Sequence, residues 1–146
     1  MAGNVIYRGP IEKQGRTVNL PVTGALLPGT FVENTATALV QITTSLAKRP
    51  LILSNVEFMD QTVTTAYVTG NTGVAYEPEP GMVFQCAMAA ATYAKNAPLK
   101  IAAAGRLAAA TTAGDIVVAF FDDVPGAYSA GALADVVIAN SYNVPA

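Results

Sequence analysis

The chain has no histidine, no tryptophan and a single cysteine among its 146 residues, and only 12% of it is charged. Without histidine there is no imidazole to act as an acid or base near neutral pH, and no histidine metal site. One cysteine, Cys86, cannot form an intramolecular disulfide. It lies in an apolar run, and a nucleophilic thiol needs a base that no histidine here supplies. Cys86 is therefore expected to be a small buried hydrophobe, in a protein that folds in a reducing cytoplasm. The charged share is about half of that usual for soluble domains. The net charge of −2 and an isoelectric point near 4.9 argue against nucleic acid as the main partner. Long hydrophobic runs are missing too. Thr, Asn, Gly or a charge interrupts every apolar stretch well before the roughly 18 residues of a spanning helix, so no membrane partner is expected. The opening Met1-Ala2-Gly3-Asn4 lacks the basic region and apolar run of a secretory leader.

What the sequence does contain is apolar, small and frequently interrupted. Apolar residues make up 52% of the chain, too many for a disordered one, and the length suits one domain or one domain plus an arm. Twelve glycines and nine prolines divide short apolar or alternating runs, and no long stripe of helical period is present. The expected fold class is mainly β, a small antiparallel barrel or sandwich. Leu27-Pro28-Gly29-Thr30 places Pro and Gly at the centre of a type II turn, with a strand from Thr30 to Glu33. The phrase returns at Glu79-Pro80-Gly81-Met82 and launches Met82 to Met88, where Met82, Phe84, Cys86 and Met88 share one face.

Further strands are expected at Ala38 to Ile42, Leu51 to Leu53, Gln61 to Val68, Val74 to Tyr76, Leu99 to Ala102 and Leu107 to Ala109. Gly70 to Gly73 reads as a hairpin turn. Ala89 to Asn96 has the propensity of a short helix. Ile116 to Phe121, the most apolar run, is expected to be a central strand buried on both faces. Gly126 to Gly131 reads as a flexible link, Leu133 to Ile138 as a last apolar segment and Asn140 to Ala146 as a polar tail. Residues 1–24, with Arg8, Glu12, Lys13 and Arg16 between prolines, read either as an extended arm or as an ordinary edge strand with a loop.

Candidate chemistry is sparse. No phosphate-binding loop is present, since Ala103-Ala104-Gly105-Arg106 lacks the required spacing. Asp122-Asp123 and the pair Glu77 and Glu79 are the clustered acids, and both read as solvated carboxylates. Lys48-Arg49 reads as an exposed loop with some capacity for an acidic partner. No catalytic, cofactor-binding or metal-binding residue is assigned. A chain this apolar is expected to hide part of its surface in an assembly, which points to a structural or interaction protein.

The middle of the chain resembles bacteriophage capsid decoration, or cement, proteins of the β-tulip type. The matching pieces run in order: Leu27 to Glu33, Pro50 to Asn55, Val63 to Gly70, Gly81 to Ala89, Lys95 to Leu99, Ala104 to Leu107 and Ile116 to Asp122. Asn96 stands where the family often has glycine, and Ala89 to Ala94 is alanine-rich where it usually has one. The resemblance implies a β-tulip barrel over residues 25–125, an extended N-terminal arm over 1–24 and a C-terminal segment over 126–146. It implies a non-enzymatic virion protein, made in the host bacterial cytoplasm, that binds the outer surface of an icosahedral capsid. There it would bridge neighbouring major capsid protein subunits and hold the head against the pressure of packaged DNA. The implied partners are the major capsid protein and the chain itself, as a homo-trimer in preference to a dimer. The arm (Tyr7, Arg8, Lys13, Arg16) and the C-terminal segment (Leu133, Val137, Tyr142) are the expected contact residues. Two other readings stand beside it. One is a different virion β-protein, such as a tail or fibre-base module. The other is a small β-barrel hydrolase, which would need a carboxylate-lined pocket, and Glu77, Glu79, Asp122 and Asp123 are the only clustered acids.

Overall fold

A computed structural model describes residues 3–13 and 15–145. In chain order the strands are β1 (Tyr7–Gly9), β2 (Thr17–Pro21), β3 (Phe31–Asn34), β4 (Leu39–Gln41), β5 (Leu51–Ser54), β6 (Thr72–Tyr76), β7 (Val83–Ala87), β8 (Ala91–Tyr93), β9 (Pro98–Ile101), β10 (Leu107–Ala109), β11 (Ile116–Phe121), β12 (Gly126–Tyr128) and β13 (Leu133–Asn143). Strands account for 43% and helical turns for 6%, so the protein is mainly β, as its turn-rich sequence suggests. The strands form open antiparallel sheets, and among the described residues no barrel closes. One sheet has the order β1-β7-β13-β11-β9-β10, a second β2-β6-β5-β3-β4, and β12 pairs with β8 in a small third.

The two large sheets enclose one core. Phe31 and Ile52 from the five-stranded sheet pack with Phe84, Cys86, Leu99, Ala119, Phe121, Val136 and Ile138 from the six-stranded one. Fully burying one such aliphatic or aromatic side chain stabilises the fold by about 1.5–3 kcal/mol. The five-stranded sheet is also covered on its far side. Val32, Leu51, Leu53 and Ala75 meet Val56 and Tyr67 from the connection between β5 and β6. Both faces of this sheet are therefore apolar, which is why Leu51-Ile52-Leu53 is a continuous apolar run.

Both proline-glycine turns form as their sequences require. Thr30 N donates to Leu27 O and Met82 N donates to Glu79 O, with Gly29 and Gly81 each at φ +89°. The first turn also ties the sheets together. Gly29 N donates to Leu53 O at 2.7 Å, and Gly29 O accepts from Ala87 N at 3.0 Å. The same hydrogen-bond pattern recurs without proline at Thr112 to Asp115 before β11 and at Ser129 to Ala132 before β13.

Several expectations change. Residues 1–24 are not a free arm where described: β1 pairs with β7, β2 pairs with β6, and Ile6 is fully buried. The segment supplies an edge strand to each large sheet, because Ile6, Val18 and Leu20 reach apolar cover there. Gly126 to Tyr128 is a strand rather than a flexible link, and Asn140 to Asn143 continues the last apolar segment as strand rather than tail. β12 places Tyr128 against Tyr93 and Phe121, and β13 is an inner strand between β7 and β11. Ala89 to Asn96 contains strand β8 rather than a helix, since Tyr93 buries its ring against Phe121 at 5.4 Å. Asn96 takes φ +63°, the left-handed conformation that asparagine tolerates in place of glycine. Residues Met1, Ala2, Gln14 and Ala146 of the two terminal segments lie outside the described residues.

Asp115, at the start of β11, gives the fold a pH-dependent contact. Its carboxylate accepts from Lys100 Nζ at 2.9 Å and from Thr112 N at 3.0 Å. The Lys100 hydrogen bond, and next that of Thr112, hold its carboxyl below the usual range. A depressed folded-state value means the stabilisation is present above the unfolded pKa of about 3.9 and is lost as pH falls through the folded value. Asp115→Asn is therefore expected to lower the melting temperature by a few degrees near pH ~7, and the gap to wild type should close as pH falls through the folded value. Thermal denaturation across that range checks this, and a gap independent of pH would contradict it.

Candidate functional site

The outer face of the six-stranded sheet collects three of the expected contact residues. Along β13, Ala134, Val136 and Ile138 point into the core, so Asp135 and Val137 point outward. Val137 stands opposite Val83 of β7 and Phe120 of β11, and all three are half-buried. Tyr142 lies beside Phe120 with ring centroids 6.3 Å apart. At the β1 edge, Arg8 Nε meets Asp135 Oδ1 at 3.3 Å. Burial pushes the Asp135 carboxyl up, Arg8 pulls it back, and Asp123 and Asp122 push it up again. Residues Gly3 to Val5 cover the neighbouring part of this face, where Gln85 Nε2 donates to Gly3 O at 2.7 Å and Val5 O at 2.6 Å. The result is an apolar strip of Val83, Val137, Phe120 and Tyr142 with one charged pair at its end.

Lys13 and Arg16 come together elsewhere, at the Pro-rich end of β6. Lys13 pairs with Glu79 at 3.5 Å, Arg16 with Glu77 at 3.7 Å, and Arg49 also meets Glu77. Glu77 is thus partly buried between two guanidiniums rather than freely solvated. Lys48 is likewise engaged within the chain, at 2.8 Å from Glu33. Asp122 pairs with Lys95, while Asp123 accepts from Val124 N and Asp135 N. The four clustered acids therefore belong to two separate places.

Tyr7 and Leu133 lie apart from that strip. Tyr7 faces the core: its ring stacks on Tyr76 at 5.4 Å and meets Phe84 edge-on at 5.2 Å. Its hydroxyl faces the carbonyls of Pro10 and Lys13 and holds that turn, and its pKa is raised by burial first, then by Tyr76 and Glu79. Leu133 is partly buried against the main core and crowds Gly29. Both side chains serve the fold, because aromatic and aliphatic groups at the ends of paired strands close the core there.

A second surface had no counterpart in the sequence reading. Gln61 to Val68, expected as a strand, belongs instead to an irregular connection between β5 and β6. Three of its apolar residues anchor it: Val63 in the main core, and Val56 and Tyr67 in the smaller one. Three others, Phe58, Met59 and Val68, are exposed. The available signal was Glu57-Phe58-Met59-Asp60, two large apolar residues between two acids in a segment without strand alternation. Among the described residues, no group of three or more Cys, Asp or Glu converges as a metal site. No helix of the described residues is long and apolar enough to cross a membrane.

No known protein family and no curated protein matches the sequence. A solved structure does match in shape: the N base of the head fiber gp8.5 of bacteriophage phi29. The chain shares its fold with that fiber base. The superposition has a TM-score of 0.58 and covers 90% of this chain and 98% of that one, at 9% sequence identity. At that identity the likeness establishes a common arrangement of strands.

Proposed function

We propose that the chain is a structural protein of a phage virion that sits on the outer surface of the head and bridges neighbouring major capsid protein subunits. The observation that supports this best is the near-complete overlap of its fold with the base of a phage head fiber. The surface chemistry agrees with it. Among the described residues, seven of the eight basic side chains are engaged in ion pairs within the chain, which leaves little positive surface for nucleic acid. The apolar strip of Val83, Val137, Phe120 and Tyr142 suits burial in an assembly. In this reading the protein works mechanically. Packaged DNA pushes the shell outward, and contacts across subunit joints must break before the subunits separate. Self-association, as a trimer in preference to a dimer, multiplies engagement through effective concentration.

A second reading has support from the same likeness, since the neighbouring structure is the base of a fiber. The chain would then seat a projecting element on the head. Adding purified protein to heads that lack it separates the two. A bridging protein binds all over the head and raises its disruption temperature. A fiber base binds without changing that temperature, and its loss removes projections from the particle. Protein that ignores heads while associating with itself would contradict both.

A further inference from the structure

The connection between β5 and β6 is built as a rigid mount for exposed apolar side chains. Phe58 is 85% exposed, Met59 72% and Val68 67%. The mount beneath them is densely bonded. Asn55 Nδ2 donates to Gln61 O at 2.9 Å, Gln61 Oε1 accepts from Val56 N at 2.8 Å, and Gln61 Nε2 donates to Thr65 O at 3.0 Å. The Asn4 side chain crosses from the N-terminal segment to accept from Val63 N at 2.9 Å. Tyr67 donates its hydroxyl to Ser54 O, and burial raises its pKa so that it stays a donor. Long connections in compact domains are uncommon and often functional. This one buries Val56, Val63 and Tyr67 and holds Phe58 and Met59 out on a single helical turn, Glu57–Met59, closed by Asp60 in the left-handed conformation. Met59 and Val68 line one depression together with Val56 and Tyr67.

Charge distinguishes this surface from the rest. Glu57 and Asp60 flank the two exposed side chains, and neither carboxylate has a partner among the described residues. Among the described residues seven of the eight basic side chains are already paired, so the described part of a second copy offers no free basic rim to meet them. An anionic lipid surface is disfavoured by the same two charges.

We propose that Phe58 and Met59 form a plug that enters an apolar hollow rimmed by Lys or Arg on a different protein. Its identity as the shell protein rests on the virion reading above. Exposed aromatic and Met side chains held in place before binding are the composition of an interface hot spot, since little conformational entropy remains to be lost. The acidic pair sets orientation and encounter rate, and its contribution weakens with salt.

The test uses the full chain and heads assembled without it. Phe58→Ser combined with Met59→Ser is expected to weaken head binding by about thirtyfold or more. Its circular dichroism and melting temperature should stay those of wild type, because both side chains lie outside the cores. Glu57→Lys combined with Asp60→Lys is expected to slow association and to remove most of its salt dependence. A photo-crosslinker placed at position 58 should give an adduct with the shell protein beside a Lys or Arg. If wild type binds heads and the Phe58/Met59 variant binds equally well, the plug is wrong and the virion reading survives. An adduct only with a second copy, or only with lipid, also overturns the plug. If wild type itself does not bind heads, the virion reading fails and the shell-directed plug fails with it.

Discussion

Phe84→Ala is expected to destabilise the protein by about 3–5 kcal/mol, the cost of truncating a buried phenylalanine. Phe84 is fully buried on β7, and its ring meets Tyr7 at 5.2 Å and Tyr76 at 5.8 Å. Tyr7 belongs to β1 and Tyr76 to β6, so this one ring on β7 joins the edge strand β1 of its own sheet and the strand β6 of the five-stranded sheet. Its removal leaves a cavity at the point where three elements meet. Neither tyrosine can collapse into it freely. Tyr7 is held by the carbonyls of Pro10 and Lys13, and Tyr76 is fixed in register with Ile52 and Thr17. The edge-to-face contacts add to the area term. At roughly 3 °C per kcal/mol for a domain of this size, the midpoint should fall by about 10–15 °C. Phe84→Leu, which keeps most of the volume, should cost much less. Calorimetry of the two variants checks this, and equal midpoints would show that the three elements do not share this core.

Gly105→Ala is expected to be nearly as damaging, although it adds one methyl group. Gly105 sits in the turn between β9 and β10 with φ +63°. A Cβ there would stand 2.8 Å from Phe31 O, 3.2 Å from Phe31 N and 2.6 Å from the Thr30 methyl. Backbone atoms of the opposite sheet cannot rotate away as a side-chain tip can. The left-handed conformation costs an alanine about 1–2 kcal/mol, and displacing packed backbone costs about 1–3 kcal/mol more. The contrast is Gly81→Ala. It has a similar positive φ and open space around the added methyl, so it should lose only the conformational part. Comparable losses in the two variants would mean that the turn at Gly105 does not press on the β3 strand.

Where local chemistry is strong, the sequence was legible. Pro28-Gly29 and Pro80-Gly81 specify their turns, because proline fixes one dihedral and glycine accepts the other. Ile116 to Phe121 is an inner strand because no polar residue interrupts it, and Cys86 is buried as its neighbours suggest, with its thiol pKa pushed up by burial and then by Asp135. Where partners distant in sequence decide the outcome, it was not legible. Ala91 to Tyr93 has helical propensity, yet pairing with β12 and the Tyr93 ring overrides it. Gln61 to Val68 has strand composition, yet the Gln61 amide and the Tyr67 hydroxyl tie it down as a loop. Of the expected contact residues, Arg8, Val137 and Tyr142 do reach one outer face. Alternation alone could not tell that Tyr7 turns inward, because that depends on where Tyr76 and Phe84 lie. The exposed Phe58 and Met59 were hidden for the same reason. An apolar pair reads as core until the surrounding anchors are known to be Val56, Val63 and Tyr67.

A reconstruction of the purified particle tests the central claim most directly. The account predicts density of this fold on the outside of the head, astride the joints between neighbouring shell subunits, with the β5–β6 connection turned toward the shell. Density on the inner surface, or particles that lack the chain altogether, would contradict it.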